Sequence, residues 1–175
     1  MVHPRLKEST QGVATAGHPY NYSNVADSPA KQVAGFIAKF DPAVAKLVRA
    51  ARSVIRKRFP TAIELVYDNY NALAIGYSPT EKTSDVLFSL AVYPRWIDLY
   101  FMYGRSLPDP DKLLRGSGNQ GAFVRLDDVS VLDRPAVKAL IDAAIRNSDL
   151  PLRESGRGYT VVKSISAKQR PRRPN

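Results

Sequence analysis

Few side chains in this sequence could carry chemistry, and they are carboxylates, guanidiniums and aromatic rings. Glu64 stands in a strand-like run with Tyr67 three residues on, and Asp98 interrupts an apolar run between Trp96 and Tyr100. A carboxylate in apolar surroundings needs a partner, so Glu64 reads first as half of an ion pair with an arginine or a tyrosine hydroxyl. The sharper alternative makes Glu64 and Asp98 pocket carboxylates that bind a ligand or work as acid and base. Asp98 is either an outward, solvated residue or a pocket residue that brings Trp96 and Tyr100 with it, since all three share one side of a strand. Arg115 and Arg125 flank a glycine-rich segment, Gly116 to Gly121. Backbone N–H groups and guanidinium could hold an anion there, although no Lys-Ser/Thr follows as a P-loop requires and a plain connecting loop also explains the glycines.

The chain of 175 residues has no cysteine and only two histidines, His3 and His18, both in a polar amino-terminal arm. Disulfides, thiolate metal sites and cysteine nucleophiles are therefore excluded, and a histidine base within the folded body has no candidate. Carboxylate-only catalysis is what chemistry remains, and the balance favours a binding or carrier protein without catalysis and without a cofactor. A hard metal ion would need clustered oxygen ligands; Asp109 with Asp111 and Asp127 with Asp128 are the small clusters on offer.

The net charge of +10 is unevenly spread. Arg153 to Asn175 carries seven cations, among them Arg170, Arg172 and Arg173, against Glu154 alone. Such a Pro- and Arg-rich end reads as a largely disordered tail, with too little apolar surface to offset the entropy of ordering it. A second basic row, Lys46, Arg49, Arg52 and Arg56, recurs at spacings of one helical turn. It is either a solvated helix face or, together with the tail, a surface for nucleic-acid phosphates.

These residues must be positioned by a recognisable set of elements. Residues 1–27, mostly polar, are expected to form a disordered arm. Ser28 and Pro29 start a helix with Val33, Phe36, Ile37 and Phe40 on its apolar stripe, and Asp41 and Pro42 start another that runs to about Arg58, with Val44, Leu47, Val48, Ala51 and Ile55 facing the core. Strands are expected over Ala62 to Tyr67 and Ala72 to Tyr77. A hairpin turning at Pro94 and Arg95 within Asp85 to Tyr103 should lie at the centre of the sheet. A short helix around Leu113 and Leu114, a strand over Ala122 to Leu126, a helix from near Asp133, and a weak strand over Tyr159 to Ile165 complete the list. One α+β domain over 28–150 follows, an antiparallel sheet of about five strands packed with helices, with 151–175 as its tail. No apolar run is long enough to span a bilayer and no signal peptide is visible, so the expected location is the cytoplasm, without a membrane.

From about Ser28 to Asn147 the chain resembles the YdhG-like proteins, a large bacterial family of mostly unknown function. Arg52 to Tyr67 is similar to the family's helix, Pro and Glu-x-x-Tyr segment, Ala91 to Tyr100 to its central strand, and Leu113 to Ile145 to its glycine-rich loop, Arg-bearing strand and closing helix. Asp68, Asn69 and Tyr70 stand where the family usually has Gly and Pro, and Trp96 where it often has His. The resemblance implies an antiparallel sheet with helices, and iron delivery of a frataxin-like kind as a possible role. Small-ligand or iron binding is therefore expected near Glu64, Tyr67, Trp96, Asp98, Tyr100 and Arg125. The alternative is nucleic-acid association through Lys46, Arg49, Arg52, Arg56, Arg170, Arg172 and Arg173.

Overall fold

The computed structural model describes residues 26–174; residues 1–25 of the expected arm lie outside them. Ser28 caps helix α1 (Pro29–Ala38), its hydroxyl accepting from the Lys31 N–H, with Pro29 at the first position where a missing N–H costs nothing. Helix α2 (Pro42–Arg58) starts on Pro42 in the same way, but Asp41 makes no side-chain cap bond. Four strands follow, β1 (Ile63–Asp68), β2 (Leu73–Ser78), β3 (Phe88–Val92) and β4 (Ile97–Phe101), and then β5 (Ala122–Leu126), helix α3 (Pro135–Arg146) and β6 (Thr160–Ile165). Among the described residues no helix is long and apolar enough to cross a membrane.

The sheet has six strands in the order β5-β4-β3-β2-β1-β6. The first five form an antiparallel meander, and β6 returns across the molecule to pair parallel with β1. The expected hairpin is present as β3 and β4, closed by a Tyr93 N–H to Trp96 carbonyl bond at 2.9 Å. Register fixes the two faces. Val66, Ile75, Leu90, Leu99 and Val124 lie abreast across five strands, as do Tyr77 and Phe88, and they pack against Val33, Phe36, Ile37, Val48, Ile55, Val137, Leu140 and Ile141 of the helices. All three helices therefore cover this face, as their apolar stripes demand. The opposite face carries Leu65, Tyr67, Gly76, Ala91, Asp98, Tyr100 and Arg125. A loop ahead of β3 crosses part of it: Val86 rests on Gly76, where a side chain would crowd it, and the Tyr67 hydroxyl meets the Thr83 hydroxyl at 2.7 Å.

Three expectations need correction. Leu113 and Leu114 are in a loop rather than a helix, because the Asp109 carboxylate accepts both of their N–H groups, at 2.9 and 2.8 Å, and Lys112 takes φ +53. The strand count is six, since the weak run at 160–165 is a full edge strand. The carboxyl-terminal stretch is ordered: beyond β6 the chain folds back to the β1–β2 turn, and Arg172 is 5% exposed. Its guanidinium donates to the Asp68 carboxylate at 2.9 Å and to the Asn69 and Tyr70 carbonyls, over the face of Phe40. The few apolar side chains of this stretch do not hold it; a fully buried carboxylate does.

Candidate functional site

Glu64 is 2% exposed on the helix-covered face, directly opposite Tyr77 in the register. Its Oε1 accepts from Arg52 Nε at 3.1 Å and from the Tyr77 hydroxyl at 3.2 Å, and its Oε2 from Arg52 Nη2 at 2.8 Å and the Thr160 hydroxyl at 2.8 Å. The expected partner types, arginine and tyrosine, are thus both present. Burial pushes the Glu64 carboxyl up, and the hydrogen bonds and charge of Arg52, with Thr160, more than reverse this, leaving it below its ordinary value. Burial first, and Glu64 second, lift Tyr77 well above the usual phenol range. With both oxygens doubly engaged, Glu64 has no lone pair left for a substrate proton. Its role is to hold Arg52.

Arg52 is the floor of a cleft of about 490 Å³ between the second half of α2 and the residues that lead into β6. Arg49 and Arg56 lie one turn before and after it on the same helical face, Lys57 adjoins them, and Arg157 comes from the opposite wall. Among the described residues none of Arg49, Arg56, Lys57 or Arg157 reaches a carboxylate, whereas Arg58, on the other side of the helix, is spent on Asp133 at 2.9 Å and on the Leu132 carbonyl. A solvated helix face accounts for the cations of α2, and the last turn suits the helix dipole. It does not account for Arg157, which a separate segment delivers to the same place.

That segment is held rigidly. Gly156 has φ +95, a left-handed conformation that favours glycine. The Gly158 N–H donates to the Pro60 carbonyl at 2.8 Å, and a Cβ on Gly158 would overlap the Ala62 carbonyl. Tyr159 is tied at both ends, its carbonyl accepting from Glu64 N–H at 2.9 Å and its hydroxyl donating to Glu81 at 2.8 Å. Gly158→Ala should therefore force the wall away from β1 and cost about 1–3 kcal/mol in chemical denaturation; an unchanged midpoint would mean the wall is not fixed.

The six residues expected to share a pocket do not. Trp96, Asp98, Tyr100 and Arg125 come together on the other face of the sheet from Glu64, and Tyr67, also on that face, is occupied with Thr83. Asp98 sits opposite Arg125 and pairs with its Nε, while the guanidinium lies 4.9 Å from the Trp96 ring centroid and 5.7 Å from that of Phe123. Burial, outweighing Arg125, keeps the Asp98 carboxyl above its ordinary value. Both carboxylates are thus structural ion pairs on opposite sides of a sheet, and no joint acid and base site exists.

The basic residues divide as well. Arg49, Arg52 and Arg56 line the cleft, and Lys46, one turn earlier, points into a separate groove beside Trp96. Arg170, Arg172 and Arg173 are at the far end of β1, about 13 Å from Glu64 along the strand. There Arg172 is buried, Arg170 stacks on Tyr70, and Arg173 reaches the Ala38 carbonyl. Tail and helix row do not form one surface, and Arg172 is unavailable to any nucleic acid. The cleft cation that the sequence did not mark as a site is Arg157; the one signal for it is Gly-Arg-Gly-Tyr, two glycines bracketing an arginine before an edge strand.

No protein-family model, curated protein or solved structure matches the chain.

Proposed function

We propose that this is a non-catalytic binding domain whose ligand is a small molecule bearing phosphate, held in the cleft by Arg49, Arg52, Arg56, Lys57 and Arg157. The observation that supports it is the convergence of four carboxylate-free cations from two elements around a fifth, Arg52, whose orientation Glu64 fixes. Guanidinium forks suit phosphate oxygens better than any neutral donor. Like charges one turn apart on a helix cost about 0.2–0.5 kcal/mol per pair, a cost that a bound anion would relieve.

Iron carriage, implied by the resemblance, does not fit the residues present. Among the described residues no three His, Cys, Asp or Glu side chains come together to hold a metal ion. Asp109 uses both oxygens on backbone N–H groups, and Asp128 caps Ser130. Association with nucleic acid is the second reading, favoured by Lys46, which extends the row on α2 beyond the cleft to about 15 Å of helix. The two readings differ in salt response, since a polymer that displaces many counterions is lost steeply as salt rises.

Calorimetric titration with ribose 5-phosphate and with pyrophosphate is the test. Single substitutions Arg49→Gln, Arg56→Gln, Lys57→Gln and Arg157→Gln should each weaken binding about tenfold, or about 1.4 kcal/mol, while leaving the melting temperature unchanged or slightly raised. Absence of binding, or binding that all four variants keep, would sink the proposal.

A further inference from the structure

We infer that the ligand of the cleft carries two linked phosphate groups, a diphosphate, one seated on the recessed Arg52 and the other on the cations of the rim. This deepens, and rests on, the anion-binding role proposed above for the same cleft.

Charge sets the first requirement. Five cations line the cleft, Arg49, Arg52, Arg56, Lys57 and Arg157, against the one carboxylate of Glu64, so the surplus is four positive charges. A phosphate monoester carries about −1.5 to −2 at neutral pH and leaves about half of that surplus unanswered. Two phosphate groups answer nearly all of it. Depth sets the second requirement. Arg52 has only 15% of its side chain exposed, and its Nε and Nη2 are spent on Glu64. Its Nη1 has no partner among the described residues and is not sealed from solvent, so a charged donor is left at the base of the cleft. The Arg56 charge helps hold the Glu64 carboxyl down and acts on Tyr77 as well, which puts Arg56 near that base. Arg49, Arg56 and Lys57 are all exposed, so the cations stand at two depths. Span sets the third requirement: Arg49 and Arg56 lie seven residues apart, about 10 Å along the helix, wider than one phosphate group. A monophosphate must choose between the recessed donor and the rim, whereas a diphosphate engages both through charge-assisted hydrogen bonds. A nucleic-acid strand also offers successive phosphates, but its backbone would ride on the exposed cations and leave Arg52 unused.

The experiment is calorimetric titration of the 175-residue protein with inorganic phosphate, ribose 5-phosphate, pyrophosphate and a short single-stranded oligonucleotide, each at two salt concentrations. Pyrophosphate should bind about tenfold or more tightly than either single phosphate, the worth of at least one added charge-assisted hydrogen bond. Arg49→Gln and Lys57→Gln, which remove rim cations and leave the Arg52–Glu64 pair alone, should each cost pyrophosphate more than ribose 5-phosphate, so that the ratio shrinks. Lys168→Gln, which removes a charge beyond β6 and outside the cleft, should leave the ratio as it was. Equal binding of pyrophosphate and ribose 5-phosphate to the unsubstituted protein would overturn the inference and leave a single-phosphate site standing; binding of none of the small anions would remove both. A pyrophosphate preference that both rim variants keep in full would overturn the two-depth seat. Salt-sensitive binding of the oligonucleotide, tighter than that of pyrophosphate, would overturn the inference in favour of a strand backbone.

Discussion

Replacing Arg172 by alanine should lower the melting temperature by about 6–12 °C, the response of a domain of this size to a loss of about 3 kcal/mol. Asp68 is completely buried, and Arg172 is its buried partner; Lys39, at 2.8 Å, is 42% exposed on its side chain and compensates only in part. Lys39→Ala should accordingly cost less, about 1 kcal/mol or below. Burial pushes the Asp68 carboxyl up, and Lys39, Gln169 and Arg172 together bring it below its ordinary value. A carboxyl depressed in the folded state contributes stability that is complete above its unfolded value and is lost as pH falls through the folded one. Arg172→Ala should therefore shrink the acid-side loss of stability as well as the neutral-pH maximum. A melting temperature within 1 or 2 °C of the parent's, or an identical acid limb, would show that the carboxyl-terminal stretch is not anchored by this pair.

Arg52→Ala should be about as costly, about 3 kcal/mol by denaturant titration, because it leaves the Glu64 carboxylate, 2% exposed at the base of the cleft, with only two hydroxyl donors. Glu64→Gln should cost less, since the amide oxygen still accepts a hydrogen bond and the charge left over, that of Arg52, is the less buried of the two and borders the cleft. The double change Arg52→Leu with Glu64→Leu should recover most of the lost stability, because it removes both charges and fills the space with apolar atoms. A cycle made of Arg52→Leu, Glu64→Leu and their combination distinguishes a real coupling from two independent losses; additive effects would mean the pair is not coupled. Glu64 too is depressed in the folded protein, so its contribution falls away as acid reaches the folded value, and Arg52→Ala should weaken that dependence. Asp98 has the opposite sign. Its raised carboxyl makes the fold lose stability as pH climbs through the folded value. A carbon-13 titration should place the midpoints of Glu64 and Asp68 below their ordinary positions and that of Asp98 above.

Much of the fold was legible because its elements are locally consistent. The stripe of Val33, Phe36, Ile37 and Phe40 is a helix in sequence and in structure, and the alternation through Phe88 to Phe101 is a hairpin. Glu64 could be read as half of a buried pair because it interrupts an apolar strand. That Arg52 completes it depends on how α2 lies on the sheet, which no local pattern encodes. The failure to assemble Glu64 with Asp98 is a matter of register: their faces are related through three strand pairings, and one residue of slip in any of them inverts the answer. Arg172 was hidden for another reason. Composition marks its segment as solvent-loving, and nothing in the sequence shows that Asp68, one residue past the expected strand Ala62 to Tyr67, is sealed at the end of that strand and needs a cation.

The pairing of β6 with β1 bridges 96 residues between Thr160 and Glu64, and this separation sets an order of events. Ribosomal synthesis delivers α1, α2 and the five-strand meander before β6 exists, so the meander can collapse with the outer edge of β1 bare. In that interval Glu64 lacks its Thr160 bond, the wall bearing Arg157 and Tyr159 is missing, and an unpaired strand edge is open to other chains. Joining elements so far apart is also slow. The affinity for phosphate proposed for the cleft would then arise only at the last step of folding, and a ligand able to hold the finished sheet together would act as a checkpoint on it.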